Sequence, residues 1–180
     1  MILSGHEIKQ QVAAKNIVIA PFGAKFVGPN SYDLHLADDL LIYDEMILDP
    51  EQENRTLRLK IPPEGLVLRP GRVYLASTQE YTETHKHVPR LVGRSSIGRL
   101  GLFVHVTAGF GDVGFSGRWT LELVPTQPIR VRAGMRICQI YYSEISGEIL
   151  TPYAGKYQHS QDVVESRSFL DREVDHGTEK

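Results

Sequence analysis

The sequence predicts a mostly-β domain, a barrel or jelly-roll-like fold of about ten short strands behind a short N-terminal helix. Polar and apolar residues alternate at period two in segment after segment. The 16 Gly and 10 Pro in 180 residues cut the chain into pieces too short for long helices. Only the first residues carry a helical apolar stripe.

That start is an S-x-x-E capping box. Ser4 and Glu7 can satisfy each other's free backbone donors, and Ile8 and Val12, with Ile2 ahead of them, fall on one helical face. After Pro21 the texture changes. Ser31–Leu36, Thr56–Ile61, Arg72–Leu75, Leu102–Val106, Trp119–Leu123 and Ile129–Arg132 alternate as half-buried strands do. Turn chemistry separates them at Pro62-Pro63-Glu64-Gly65, Arg69-Pro70-Gly71 and Arg132-Ala133-Gly134. Ile137–Ile149 reads as one long strand or a strand pair. From Gln161 the chain is polar without an apolar period, so residues 1–160 form one folded domain and 161–180 an arm or disordered tail.

Composition narrows the function classes. Apolar residues make up 41% and charged residues 23%, as in ordinary globular proteins. A net charge of −2 is wrong for a nucleic-acid binder that relies on bulk electrostatics. No run approaches the length of a membrane span and no signal-peptide pattern opens the chain, so a cytoplasmic location is expected. The single cysteine, Cys138 between Ile137 and Ile140, fits a reducing compartment and a buried structural thiol.

Chemistry concentrates between residues 93 and 122. Arg94-Ser95-Ser96-Ile97-Gly98-Arg99 places two guanidinium forks around two hydroxyls. It is either a polar surface turn or a phosphate cradle in which Gly98 allows close backbone approach. Glu122, between Leu121 and Leu123, is either a solvent-face residue or a partly buried carboxylate suited to proton transfer. Asp112 lies in the glycine-rich hairpin from Gly109 to Gly117, where an Asx-turn is its simplest role. Several alternatives fail on motif grounds. One cysteine cannot build the H-x-E…P-C-x-x-C zinc site of cytidine deaminases. Ser95 and Ser96 are not in G-x-S-x-G, and no G-x-x-x-x-G-K-[ST] loop occurs. Thr84-His85-Lys86-His87 reads as a solvated loop, and His105 as a structural residue or part of a pocket rim.

GRSSIGRLGL, TAGFGDVGFSG and TLEL together resemble the core of the dCTP deaminase family in the dUTPase-like superfamily. The resemblance extends to Met1–Ser4, Ser31–Leu34 and Pro152–Gln158. It implies a dUTPase-type distorted β-barrel, a zinc-free deaminase and a homotrimer with active sites shared between subunits. It also implies magnesium bound through the substrate triphosphate. Carried over residue by residue, Glu122 matches the proton-shuttling glutamate, Ser95 and Arg99 its supporting pair, and Arg94 to Arg99 the triphosphate-binding run. Ala108, Asp112, Thr120, Leu121, Gln139, Tyr153 and Lys156 match further nucleotide contacts. A tail glutamine of the family falls by spacing on Ser160, with Gln161 beside it.

The reaction expected from that resemblance is hydrolysis of dCTP to dUTP and ammonia. The alternative is a bifunctional enzyme that carries dCTP to dUMP, ammonia and pyrophosphate, with dTTP a candidate inhibitor of either. Ala108-Gly109-Phe110-Gly111-Asp112 resembles the bifunctional kind, although Gly111 stands where a branched residue is usual and so takes support from the Asp112 hairpin. A dUTPase is disfavoured by Phe115 in place of a motif tyrosine and by a tail whose only glycine after Asp162 is Gly177. A non-catalytic nucleotide-binding regulator is disfavoured by the intact Ser95, Arg99 and Glu122.

Overall fold

A computed structural model of the chain describes residues 1–106 and 108–171. One half of the capping box forms: helix α1 (Gly5–Ala13) begins at Ser4, whose hydroxyl accepts the Glu7 N–H at 3.2 Å, while the Glu7 carboxylate accepts from Gln11 Nε2 at 2.6 Å. Ile8 is fully buried and Val12 packs beside it, whereas Ile2 lies outside the helix and bridges to Ser143.

Among the described residues ten strands follow. They are β1 (Ile17–Ala20), β2 (Tyr32–Tyr43), β3 (Thr56–Lys60), β4 (Leu66–Leu68), β5 (Tyr74–Thr84), β6 (His87–Gly93), β7 (Leu102–Val104), β8 (Ser116–Pro125), β9 (Ile129–Val131) and β10 (Arg136–Glu144). A one-turn helix, α2 (Ser95–Gly98), separates β6 from β7. The main sheet runs β6-β10-β2-β5-β8-β7, with β1 added on β5 and β3 on β2, while β4 and β9 pair separately. All of these pairings are antiparallel. The two edges approach each other: the Leu91 N–H donates to the Gly109 carbonyl at 2.8 Å and the Gly111 N–H to the Pro89 carbonyl at 3.0 Å. The sheet is thereby nearly closed, a distorted barrel.

Two long strands carry the curvature. β2 pairs with β10 through Tyr32–His35 and with β3 through Asp39–Tyr43, and its register against β5 shifts between Leu36 and Leu40. Bulges and mid-strand changes of neighbour are how a sheet turns a corner. Leu34, Leu36, Leu40, Leu121, Leu123, Ile137 and Ile140 fill the interior, each side chain contributing roughly 2–3 kcal/mol of burial. Polar residues of β2 are buried too, and each finds a partner: His35 pairs with Glu80, and Asp33 with two arginines.

Three features differ from the sequence expectations. Ile137–Ile149 is a single strand that ends at Glu144. β6 occupies a stretch whose Pro89 argues against a strand; Pro89 is tolerated at the sheet edge, where its carbonyl still accepts from Gly111. The Thr84–His87 segment is not a solvated loop throughout, because His87 is buried and bound through its backbone to the Thr84 hydroxyl. Cys138 is buried, and desolvation pushes its thiol well above the ordinary range.

The chain after β10 returns to the barrel. The Tyr153 N–H donates to the Val113 carbonyl at 2.8 Å, the His159 N–H to Ser116 at 2.7 Å and the Arg118 N–H to Ser160 at 2.7 Å. Residues 161–171 continue along the same wall, with Val163 buried against Leu41 and Leu75 and Asp162 paired with Arg58. Residues 172–180, the rest of the expected arm, lie outside the described residues.

Burial depresses the His87 imidazole below its ordinary value of 6.5, with Glu144 and Glu7 opposing the shift and Lys86 reinforcing it. The unfolded chain therefore takes up this proton first as pH falls, so His87 subtracts stability progressively below about 6.5. Thermal unfolding of the wild type should lose more between pH 7.5 and pH 5.5 than that of His87→Asn. Equal losses in the two proteins would refute this linkage.

Candidate active site

Alternation along β8 sorts its residues between two environments. Leu121 and Leu123 are fully buried in the core, so Thr120 and Glu122 must face the other way. They open into a cavity of about 1200 Å³. Arg118 and Trp119 continue the same wall, Ala108 and the Phe110–Asp112 segment form a second, and Tyr153, Lys156, Tyr157 and Ser160 a third. Tyr43, Arg72 and Val73 line the opposite rim.

Glu122 is the centre of this wall. Its side chain is 37% exposed, and one carboxylate oxygen, Oε2, is bonded to His105 Nδ1. His105 follows β7 directly, with φ at +49°, the left-handed region that a residue with a Cβ seldom adopts. Its N–H donates to the Glu122 carbonyl at 3.2 Å, and its Nε2 is buried without a partner among the described residues. Backbone and ring together fix the carboxylate's direction. This pairing is what the sequence concealed: seventeen residues separate the two, and only the β7–β8 register joins them.

Asp112, an exposed residue, adds a carboxylate to a lining that also includes those of Glu45, Glu165 and Asp171. It heads a turn in which the Phe115 N–H donates to the Asp112 carbonyl at 3.3 Å, and Gly114 takes φ +96° hard against Pro152. Only glycine adopts that conformation there without strain. Thr120 Oγ1 accepts the Val164 N–H at 3.0 Å, and the Tyr43 hydroxyl accepts the Ser166 N–H at 3.0 Å, which ties residues 164–166 along the cavity. Burial raises the Tyr43 phenol above its ordinary range, and Glu165 and Glu122 act in the same direction. Lys156 is ion-paired with Asp171 and lies 5.6 Å from the centre of the Tyr157 ring.

The expected site residues divide into groups. Ala108, Asp112, Thr120, Glu122, Tyr153, Lys156 and Ser160 line the cavity. Arg94, Ser95, Ser96, Ile97, Gly98, Arg99 and Gln139 do not. Leu121 sits in the core, so only its main chain can meet a ligand, and Ile97 is likewise turned into the core. Of the two tail candidates, Ser160 lines the cavity and Gln161 is exposed beside it, bonded to the His159 carbonyl.

The Arg94 group is nevertheless built as a unit. Arg94 Nε and Gln139 Nε2 donate to Asp33 Oδ1 at 3.2 and 3.0 Å, and Arg136 Nη1 donates to Asp33 Oδ2 at 3.1 Å. Asp33 thus links β2, β10 and the start of α2 through one buried carboxylate. Ser95, Ser96 and Arg99 are exposed beyond it, and the α-carbon of Gly98 faces open space. Around this cluster Val92, Leu100, Phe103, Val106 and Phe110 are exposed large apolar residues. Among the described residues no three His, Cys, Asp or Glu side chains come together as a metal site.

Residues 2–145 match the family model described as dCTP deaminase-like. The chain is 54% identical over 171 residues to "dCTP deaminase, dUMP-forming" of Clostridium acetobutylicum, covering 95% of this chain and 98% of that protein. It is 53% identical over 173 residues to the protein of the same name from Leptospira biflexa, covering 96% and 99%. The solved structure of 2′-deoxycytidine 5′-triphosphate deaminase from Agrobacterium tumefaciens is similar over 78% of this chain, at TM-score 0.63 and 26% identity. This chain spans about half of that one, 47% of its length.

Removing the Asp33 carboxylate leaves two guanidinium groups and an amide without their shared acceptor. Charge-assisted bonds of this kind are worth about 2 kcal/mol each, so Asp33→Ala should lower the urea midpoint without changing the slope. A midpoint equal to that of the wild type would show that the cluster adds nothing to folding.

Proposed function

The chain belongs to the dCTP deaminase-like family, and we propose that it hydrolyses dCTP in two steps to dUMP, ammonia and pyrophosphate. The sequence expectation put dUTP first as the end product. The names of the relatives at 53–54% identity favour the dUMP-forming alternative. The observation that carries the reading is the convergence of Glu122, Asp112, Thr120, Tyr153 and Lys156 on one cavity.

In the first step water adds to C4 of cytosine. Glu122 takes one proton from the water and delivers it to ring N3. The hydroxyl now on C4 then gives up its proton, which Glu122 passes to the amino group, and as C4=O forms the C4–N4 bond breaks and ammonia leaves. Positioned proton transfer of this kind contributes roughly 10²–10⁴-fold. His105 holds the carboxylate in place through Nδ1. In the second step a second water attacks the α-phosphorus of bound dUTP, the bond to the α,β-bridging oxygen breaks, and pyrophosphate departs. Asp112, on the same cavity, is the group that directs and deprotonates this water. Lys156 and Tyr153 hold the phosphates, so that binding energy from the triphosphate fixes the base against Glu122. With no three-ligand cluster among the described residues, a divalent ion such as magnesium would be carried by the phosphate oxygens of the substrate, where it would offset their charge, and Asp112 on the same cavity would help to hold it. The deamination itself is assigned to Glu122 without zinc.

Ser95 and Arg99 belong to this chemistry by family resemblance, yet they do not line their own chain's cavity. The reading therefore includes a homotrimer in which α2 of one subunit completes the site of the next. Val92, Leu100 and Phe103, close to α2 along the chain, are exposed and apolar, and this supports an interface there. The free, buried Cys138 and the nucleotide substrate support a cytoplasmic enzyme.

Product analysis tests the reaction. Purified protein supplied with dCTP and magnesium should release ammonia and pyrophosphate in equal amounts with dUMP. Glu122→Gln should abolish both while leaving dCTP affinity within about tenfold of wild type. Ammonia release above about a tenth of wild type would remove Glu122 from the shuttle role. Wild-type accumulation of dUTP without pyrophosphate would leave a deaminase only.

Shared sites predict complementation. Glu122→Gln and Arg99→Ala homo-oligomers should each be inactive. Refolding them together should restore part of the wild-type rate, because some sites then receive both intact residues. No recovery in a mixed oligomer of confirmed composition would place Arg99 in its own chain's site.

A further inference from the structure

We propose that Trp119 is a positioning residue for the second step: its indole, seated against Gly111, holds the turn that aims Asp112 at the second water. The proposal rests on the reading of Asp112 as the group that serves phosphate hydrolysis.

The need for a support arises at Asp112 itself. Among the described residues nothing hydrogen-bonds its carboxylate, so its direction is set by the turn it heads. That turn is tied by its backbone through the Gly111 N–H to Pro89, through the Val113 carbonyl to Tyr153, and through the Gly114 N–H and the Phe115 carbonyl to Thr84. Against Gly111, at the foot of Asp112, stands the indole. A Cβ at Gly111 would overlap Trp119 Cη2, and would lie 2.9 Å from Pro89 Cγ and 3.1 Å from Trp119 Cζ3. The absence of a side chain at Gly111 therefore does not leave the hairpin loose; the indole occupies the volume that a side chain would have filled. The φ of Gly111 is not in the left-handed region, so its requirement here is one of space.

The indole is itself held from three directions. Its Nε1–H donates to Thr82 Oγ1 at 2.7 Å, and the backbone N–H of Trp119 donates to Thr78 Oγ1 at 3.1 Å. Phe115, inside the same turn, packs on it with ring centres 4.3 Å apart. Both threonines come from β5, whose register against β8 shifts between Ser77 and Tyr81, opposite Trp119. A bulge re-aims the side chain facing it, and here it presents the indole to the Asp112 turn. Rigid aromatic packing thus takes the place of a hydrogen bond to the carboxylate.

The readout is the ratio of pyrophosphate to ammonia released from dCTP, whatever the absolute rate. Wild type should give one to one. Trp119→Val removes the support and should lower the ratio by about tenfold or more, with dUTP accumulating, since small misplacements of a reacting group cost that much. Thr82→Val, which keeps the indole and removes its Nε1 anchor, should give an intermediate ratio, and it serves if Trp119→Val does not fold. A ratio unchanged in both Trp119→Val and Thr82→Val, or in Thr82→Val where Trp119→Val does not fold, overturns the role of Trp119. Absence of pyrophosphate from wild type overturns the two-step reading instead, and the inference with it.

Discussion

The pairing of β8 with β5 decides where the chemistry faces. Glu122 lies opposite Leu75 and Thr120 opposite Ser77, and this register sends Leu121 and Leu123 inward together. A slip of one residue would expose both leucines and bury Glu122. Each leucine is worth roughly 2–3 kcal/mol of burial, and an unpaired buried carboxylate costs several more, so the alternative register is strongly disfavoured. The direction of the Glu122 carboxylate is therefore a consequence of core packing. The register then shifts before Tyr81, and the same strand turns a large aromatic toward the Asp112 turn.

What surrounds β8 follows from that placement. β7 pairs with its far half, which brings His105 to the Glu122 carboxylate. On its near half the returning chain adds main-chain bonds at Ser116 and Arg118, and these carry Tyr153, Lys156 and Ser160 to the cavity from more than thirty residues away. Residues 161–171 extend the same wall, anchored by Val163 in a small apolar cluster and by the Thr120 hydroxyl.

Much of this was legible in the sequence, and the reasons for the rest are physical. Period-two alternation marks strands with one wet face, and β2, β3 and β8 were visible that way. β6 was hidden by Pro89, which a sheet edge tolerates, and β1 and β4 are only four and three residues long. The polar composition of the Thr84–His87 run disguised a buried His87. At the site, Glu122 and Asp112 were readable from motif and strand period. The His105–Glu122 pair was not, because it depends on tertiary register rather than on spacing. The grouping of Arg94, Arg136 and Gln139 on Asp33 was equally silent, since β2, β10 and the start of α2 contribute one corner each. The polar tail looked like a free arm because its anchors are mostly backbone groups, which composition does not display.

Glu122 and Asp112 are held by different means, and the difference matches the work proposed for each. Glu122 has a fixed imidazole partner, a strand backbone and a fully packed core behind it. Asp112 has a turn, and its carboxylate has no partner among the described residues. A proton shuttle must meet the same ring atoms at every turnover and gains from a rigid mount. A carboxylate that serves a flexible triphosphate chain has to remain open to water and to an ion carried by the substrate, so a direct protein hydrogen bond would compete with its role. Steric support from below, through Trp119 and Phe115, stabilises the turn without occupying the carboxylate oxygens. The glycine at 111 is then half of a packing pair, and its small size is as specific as the indole that faces it.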